Sequence, residues 1–208
     1  LGGGLFACEL ARANARVFVV EFEDHLLVYE GVYTTRNAEI IRLINKYSSN
    51  VMARTLFLTL GAEKSGRPAT SAGARQAVVD FLASRGITIP DLVLDNGSGL
   101  SRDERVTAEG LADVLLDAWH SQYMPEFAAS LPLSATDGTL RRRFRSGEMQ
   151  GRLRMKTGTL DDVSALAGYV NAASGKTYVA VILMNDPRAG AGAGEAVQTE
   201  LVDWVFAQ

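Results

Sequence analysis

Apolar residues recur at helical spacing in the middle of this 208-residue chain. From residue 35 to residue 61, apolar side chains three and four positions apart predict a helical stretch that ends at Gly61. Three adjacent polar residues, Ser48, Ser49 and Asn50, interrupt it, and such short side chains compete with the helix backbone for hydrogen bonds. The interruption indicates either a plain helix break or a functional site.

Two more helices are predicted downstream. The first occupies residues 71–86, with Ser71 as its expected N-cap and Gly86 as its stop. The second begins after Thr107, which is also a favoured N-cap residue. Its apolar face consists of Leu111, Val114, Leu115 and Trp119.

The spacing changes to that of β-strands near both ends of the chain. Residues 16–33 contain two runs rich in Val, Phe and Tyr, which predict a hairpin. After Gly151, the runs RLRMKTG, VSALAGYVN and TYVAVILMN predict an antiparallel meander. The last run is almost wholly apolar, which favours a central strand covered on both faces. A closing helix is marked by Val197, Leu201, Trp204 and Val205.

Together these elements predict one α+β unit, in which helices pack on an antiparallel sheet. The chain has 47% hydrophobic and 22% charged residues, which suffices for one sizeable core. Its net charge of −3 gives no reason to expect a nucleic-acid partner, and the arginine run at residues 141–145 is expected to be a solvated face. A single cysteine excludes an internal disulfide, and two histidines form no zinc cluster, so no metal is expected. The first residues lack the features of a signal peptide, so we expect a chain that begins mature or truncated.

Three residues at the end of the first meander strand suit an anionic ligand. The ammonium of Lys156 and the hydroxyl of Thr157 can hold a carboxylate, and Gly158 allows a substrate backbone to lie close to the strand. A lone Lys-Thr-Gly is more often a turn than a site. The motif is more informative here because it occurs together with Ser-x-Asn at residues 48–50. The two motifs form the paired signature of penicillin-recognising serine acyl enzymes.

The sequence around both motifs carries a more specific resemblance. The stretches are EIIRLINKYSSNVMARTLFLTLG, LVLDNGSGLSRDERVTAEGLADVL, LPLSATDGTLRRRF and RMKTGTLDDVSALAGYV. Through them the chain resembles the penicillin-binding-protein-4-type D-alanyl-D-alanine carboxypeptidases, which are also endopeptidases, over most of residues 38–185. The resemblance implies the penicillin-binding fold that β-lactamases and transpeptidases share, incomplete at its N-terminal side.

The resemblance also implies roles for matching residues. Ser48 would relay protons, Asn50 would hydrogen-bond the substrate peptide, and Lys156 would support the electrostatics of the site. Thr157 would bind the terminal carboxylate of D-Ala-D-Ala, next to the substrate-binding Gly158. The backbone N–H of the following residue, Thr159, would supply half of an oxyanion hole. The DNGSGLSR loop would shape the region near the site without a catalytic role.

One element of the signature is missing. These enzymes use a nucleophile in the form Ser-x-x-Lys, in which the lysine lies one helical turn after the serine and takes its proton. The lysines of this chain are Lys46, Lys64, Lys156 and Lys176, and none follows a serine at that spacing. We therefore expect residues 37–208 to be the C-terminal part of a transpeptidase-like catalytic domain. Residues 1–36 would be either the remnant of an inserted region or a hairpin that replaces the first strands.

The function implied is that of a serine-type D-Ala-D-Ala carboxypeptidase or endopeptidase. It would act through an acyl-enzyme on peptidoglycan peptides that end in D-Ala-D-Ala, and β-lactams would acylate it. The family implies a bacterial periplasmic or exported protein and no cofactor. Two alternatives stay open: a β-lactamase-like or esterase-like hydrolase with the same motifs, and a catalytically silent peptidoglycan-binding module.

Overall fold

The computed structural model describes residues 34–145 and 147–208. The helices of this part are α1 Thr34–Tyr47, α2 Asn50–Ser65, α3 Ser71–Ser84, α4 Ala108–His120, α5 Met124–Ser130 and α6 Ala193–Phe206. The strands are β1 Leu153–Leu160, β2 Val163–Asn171 and β3 Thr177–Asn185. Single turns of 3₁₀ helix occupy Gly138–Leu140, Gly147–Met149 and Ala189–Ala191. The hairpin predicted at residues 16–33 lies outside the described residues.

The predicted antiparallel meander is confirmed. The strand order among the described residues is β1-β2-β3. The prediction that both faces of the last strand are covered is also confirmed, whereas its central position in the sheet stays a prediction, because the two strands predicted at residues 16–33 lie outside the described residues. Val179 and Val181 of β3 pack towards α4 and α5, whereas Tyr178 and Ile182 pack towards α6.

Two hydrophobic clusters cover the two faces of the sheet. On one face, Tyr169 of β2 is buried against Leu115 and Phe127, and its hydroxyl donates to the Leu115 carbonyl at 2.7 Å. On the other face, Leu166 and Val170 contact α6 and the segment before β1. Between these two clusters, β1 pairs with β2 along its whole length, and this pairing fixes the register of β1.

The interruption of the first helix is confirmed as a break between α1 and α2. Ser48 has a φ of 54°, in the left-handed region, and Ser49 is the N-cap of α2. However, α2 continues past Gly61 to Ser65. A Cβ atom on Gly61 would lie 2.6 Å from the backbone nitrogen of Ala74, so this glycine permits close packing of α2 on α3 instead of ending the helix.

The helix caps are partly as predicted. Thr107 caps α4, since its hydroxyl accepts from the Gly110 N–H at 3.1 Å. The N-cap of α3 is Thr70 and not Ser71, because the Thr70 side chain is the one that accepts from the Gly73 N–H. The error is one residue, and two adjacent hydroxyl residues made both positions suitable.

The closing helix is confirmed as α6, but most of the residues that marked it face outwards. Val197, Leu201 and Trp204 are exposed, whereas Val202 and Phe206 pack against the sheet. No helix in the described ranges combines the length and apolar character that a membrane span requires.

Candidate active site

A cleft of about 270 Å³ lies between the α1–α2 break, the end of β1 and the loop at residues 98–100. All six site residues predicted from the sequence line it: Ser48, Asn50, Lys156, Thr157, Gly158 and Thr159. Ser48 and Lys156 are 108 positions apart in the chain and are in direct contact. The fold therefore assembles the two predicted motifs into one site.

The contact at the centre of the cleft joins Lys156 to Ser48. The Lys156 ammonium donates one hydrogen bond to the Ser48 hydroxyl and another, 2.7 Å long, to the backbone carbonyl of Thr157. Burial lowers the pKa of Lys156 from 10.5 to about 8, because desolvation disfavours the charged form. A lysine that titrates near 8 can attract an anion as a cation and can also exchange a proton with the neighbouring hydroxyl.

The backbone of β1 presents its donors to the cleft at alternate residues. The N–H of Met155 donates to the carbonyl of Pro132, on the side of β1 that faces away from β2. Because strand residues two apart share an orientation, the N–H groups of Thr157 and Thr159 also face away from β2. The Thr159 N–H is thus placed to donate to a group in the cleft, as an oxyanion hole requires.

Sequence reasoning missed a buried ion pair directly behind Ser48. Lys46, only 3% exposed, donates to both carboxylate oxygens of Asp137 at 2.8 and 2.7 Å and to the carbonyl of Leu131 at 2.6 Å. A Cβ atom on Gly138 would lie 2.5 Å from the carbonyl oxygen of Lys46, so the backbones of the two segments are in contact. The pair fixes residues 137–140 against the last turn of α1.

Sequence reasoning also missed a second threonine beside the Lys-Thr-Gly motif. The hydroxyl of Thr157 donates to the hydroxyl of Thr139 at 2.8 Å. Both Asp137 and Thr139 lie in LPLSATDGTLRRRF, one of the stretches that carried the family resemblance. That resemblance was the only indication in the sequence that this segment lies near the site. Asp137 contacts Lys46 across 91 positions of sequence, and Thr139 contacts Thr157 across 18. No local sequence pattern reveals contacts at such separations.

The DNGSGLSR loop forms the opposite wall of the cleft. Gly97 has a φ of 74°, and a Cβ atom there would lie 2.6 Å from the Phe57 side chain, so the loop packs closely on α2. Arg102 forms ion pairs with Asp161 and Asp162 in the β1–β2 turn. A second, largely apolar cavity of about 420 Å³ lies beneath this loop and shares residues 99, 158 and 159 with the cleft.

Comparison with known proteins decides the family. The model of the D-Ala-D-Ala carboxypeptidase 3 (S13) family matches residues 37–208. The chain belongs to this family. The membership confirms the resemblance seen in the sequence and, with the structural match below, the predicted α+β penicillin-binding fold.

Relatives of this carboxypeptidase family match the chain over part of their own length. The chain is 35% identical over 150 residues to a D-alanyl-D-alanine carboxypeptidase of Actinomadura sp., covering 70% of this chain and 28% of that protein. It is 36% identical over 195 residues to carboxypeptidase DacB of Mycolicibacterium smegmatis, covering 86% of this chain and 42% of that protein. Penicillin-binding protein 4 of Haemophilus influenzae, in a crystal structure with a β-lactam, superposes with a TM-score of 0.74 at 25% identity, covering 83% and 42%. The chain thus spans less than half the length of each of these three relatives.

Proposed function

We propose that this chain supplies the substrate-binding half of a serine-type D-Ala-D-Ala carboxypeptidase or endopeptidase that acts on peptidoglycan stem peptides. The observation that carries the proposal is the contact of Lys156 with Ser48 in the same cleft as Thr157. A cation, a hydroxyl relay and an anion-binding hydroxyl are the groups that recognition of a terminal D-alanine carboxylate requires. The relatives named above include proteins described as D-alanyl-D-alanine carboxypeptidases.

The proposed reaction passes through an acyl-enzyme. A serine of a Ser-x-x-Lys motif, which these 208 residues do not contain, attacks the carbonyl carbon of the penultimate D-alanine. The resulting oxyanion accepts hydrogen bonds from backbone N–H groups, including that of Thr159. The C–N bond then breaks, and the departing D-alanine amine takes a proton through Ser48, which Lys156 contacts. Water hydrolyses the ester, and Asn50 holds the substrate peptide during both steps.

The proposal includes the context in which the site works. Residues 37–208 form the C-terminal part of the catalytic domain. Peptidoglycan lies outside the cytoplasmic membrane, so the protein acts in the periplasm or after export from a bacterial cell. β-Lactams acylate the same serine, since the relative from Haemophilus influenzae was crystallised with a β-lactam.

A second candidate function is a catalytically silent peptidoglycan-binding module. The absence of Ser-x-x-Lys from the 208 residues favours it. Both candidates share the carboxylate site and differ only in whether a nucleophile reaches it.

Covalent labelling with a penicillin tests the proposal. The chain and a longer form that contains a Ser-x-x-Lys segment are incubated with benzylpenicillin, and adducts are measured by intact-protein mass. We expect an adduct on the longer form alone. Labelling of the short chain that is abolished by Ser48→Ala would identify Ser48 as a nucleophile and contradict the proposed division of the site. A folded longer form without any adduct would favour the silent module, and rapid turnover of a chromogenic cephalosporin would favour a β-lactamase.

A further inference from the structure

We propose that Thr139 is a positioning residue that makes the site selective for a free terminal carboxylate. It does so by setting the direction in which the Thr157 hydroxyl donates its hydrogen. The inference rests on the proposed function, because it takes the D-alanine carboxylate as the group that Thr157 meets. It concerns a residue outside both sequence motifs.

The first observation is the hydrogen bond between the two threonines. In the structure, the Thr157 hydroxyl donates to Thr139 Oγ1 at 2.8 Å, and because both groups are hydroxyls either oxygen can serve as donor or acceptor in this pair. A hydroxyl carries one hydrogen and two lone pairs, and it rotates to suit its partners. When a carboxylate arrives, the Thr157 hydrogen turns towards it, and the Thr139 hydroxyl donates to Thr157 Oγ1 instead. The bond between the threonines is kept and its direction is reversed.

The reversal provides chemical selectivity. Once Thr139 donates to Thr157, the Thr157 oxygen has one lone pair occupied and its own hydrogen is available only to the ligand. A carboxylate presents acceptors alone, so it satisfies this arrangement, and the adjacent Lys156 ammonium adds a favourable charge. A carboxamide presents an NH₂ group that needs an acceptor, and it carries no charge for Lys156 to meet. Chained hydrogen bonds also polarise each other, which strengthens the bond from Thr157 to the carboxylate.

The second observation is that Thr139 is held in place by buried contacts. Asp137, two residues before it, accepts from the buried Lys46 and from the backbone N–H of Leu133 at 2.8 Å. Gly138, between them, touches the Lys46 backbone. Ser48 follows Lys46 by two residues, and Thr139 follows Asp137 by two, so one ion pair helps to locate both the hydroxyl relay and Thr139. Thr139 itself is exposed, so its side chain contributes little to the core.

The test compares two ligands and two variants by NMR titration of the isotope-labelled 208-residue chain. The ligands are Nα-acetyl-D-Ala-D-Ala and the same peptide with a C-terminal amide. The variants are Thr139→Val, which keeps the shape and removes the hydroxyl, and Thr139→Ser, which keeps the hydroxyl and changes the shape. We expect Thr139→Val to weaken binding of the acid about tenfold and to leave binding of the amide unchanged. Thr139→Ser should retain the wild-type preference for the acid.

The same assay shows whether Thr139 acts through Thr157. In a Thr157→Val background, Thr139→Val should cause no further loss of affinity for the acid. Additive losses would overturn the positioning role. A Thr139→Val protein whose preference for the acid over the amide is as large as that of the wild type, or a Thr139→Ser protein that has lost the preference, would overturn the proposal while leaving the proposed function intact. A wild-type chain that binds acid and amide equally would overturn both.

Discussion

At the scale of single residues, Lys156 is the one charged side chain among the described residues that line the cleft. Its pKa of about 8 is set by burial, and its hydrogen-bond partners are a hydroxyl and a carbonyl, which are neutral. Below that pH the ammonium attracts a carboxylate, and above it the neutral amine does not. The affinity of the site for an anion is therefore linked to pH near the physiological range.

We expect the affinity for Nα-acetyl-D-Ala-D-Ala to fall as the pH rises through 8. Binding that requires the protonated amine loses up to about thirtyfold between pH 6.5 and 9.5, because only the protonated fraction of the free protein binds. Titration by NMR or calorimetry at several pH values measures this change. Lys156→Gln should bind weakly and without this pH dependence, and exposed Lys176→Gln should retain the wild-type profile. A flat wild-type profile up to pH 9.5 would contradict the assigned role of Lys156.

The sequence predicted six residues that line the cleft, because Ser-x-Asn and Lys-Thr-Gly are local motifs. It did not predict the residues behind them. No local pattern marked Lys46, and its burial follows from a partner 91 positions away. Thr139 was equally unmarked, since its role depends on how residues 131–140 lie along β1.

At the scale of elements, the Lys46–Asp137 pair joins α1 to the segment before β1. Removing one partner of a buried pair leaves the other charge desolvated, and this is usually more costly than the pair itself is stabilising. The Lys46 side chain is 4% exposed and that of Asp137 is 33% exposed, so water screens the pair only partly.

We expect Asp137→Asn to lower the free energy of unfolding by about 3 kcal/mol, the lower end of the range for a broken buried pair. Urea denaturation monitored by circular dichroism measures the loss. The matched control is Asp80→Asn, which breaks the exposed Lys64–Asp80 pair and should lower the free energy of unfolding far less. Equal effects of the two substitutions would mean that the Lys46–Asp137 pair does not hold these elements together.

The contact between Gly138 and Lys46 gives a second test at this scale. Gly138 and Gly147 have nearly the same φ, 55° and 54°, but only Gly138 has a backbone atom where a Cβ atom would lie. Alanine at either position incurs about 1 kcal/mol of backbone strain. We expect Gly138→Ala to lose about 2 kcal/mol more than Gly147→Ala, because it must also push α1 away. Equal losses of unfolding free energy in urea denaturation would show that the close approach of Gly138 to the Lys46 backbone does not affect stability.

Element types were predictable from local pattern, whereas boundaries and placement were not. The polar triplet at residues 48–50 marked the α1–α2 break because it disfavours a helix wherever it occurs. Gly61 was misread as a stop because its function, close approach to Ala74, exists only once α3 is in place. The apolar run of β3 predicted that helices cover both of its faces, because burial of a strand face is recorded in its composition.

At the scale of the whole molecule, the described residues form a sheet with helices on both faces, and the cleft and the apolar cavity meet near the end of β1. The family match over residues 37–208 and the structural match at a TM-score of 0.74 agree on this architecture. The fold class was predictable from the order of elements, because helices followed by a meander fit few architectures. The apolar cavity beneath the DNGSGLSR loop was not, because it is bounded by residues from several elements.

The buried pair behind Ser48 also bears on how tolerant each position is to mutation. In a library of single variants displayed on cells and sorted for peptide binding, Lys46 and Asp137 should accept as few replacements as Ser48. The cause differs: replacements of the pair should reduce the amount of protein displayed, whereas those of Ser48 and Thr139 should leave display unchanged. A screen that scores binding alone would therefore assign Lys46 to the substrate site, although its ammonium faces the protein interior.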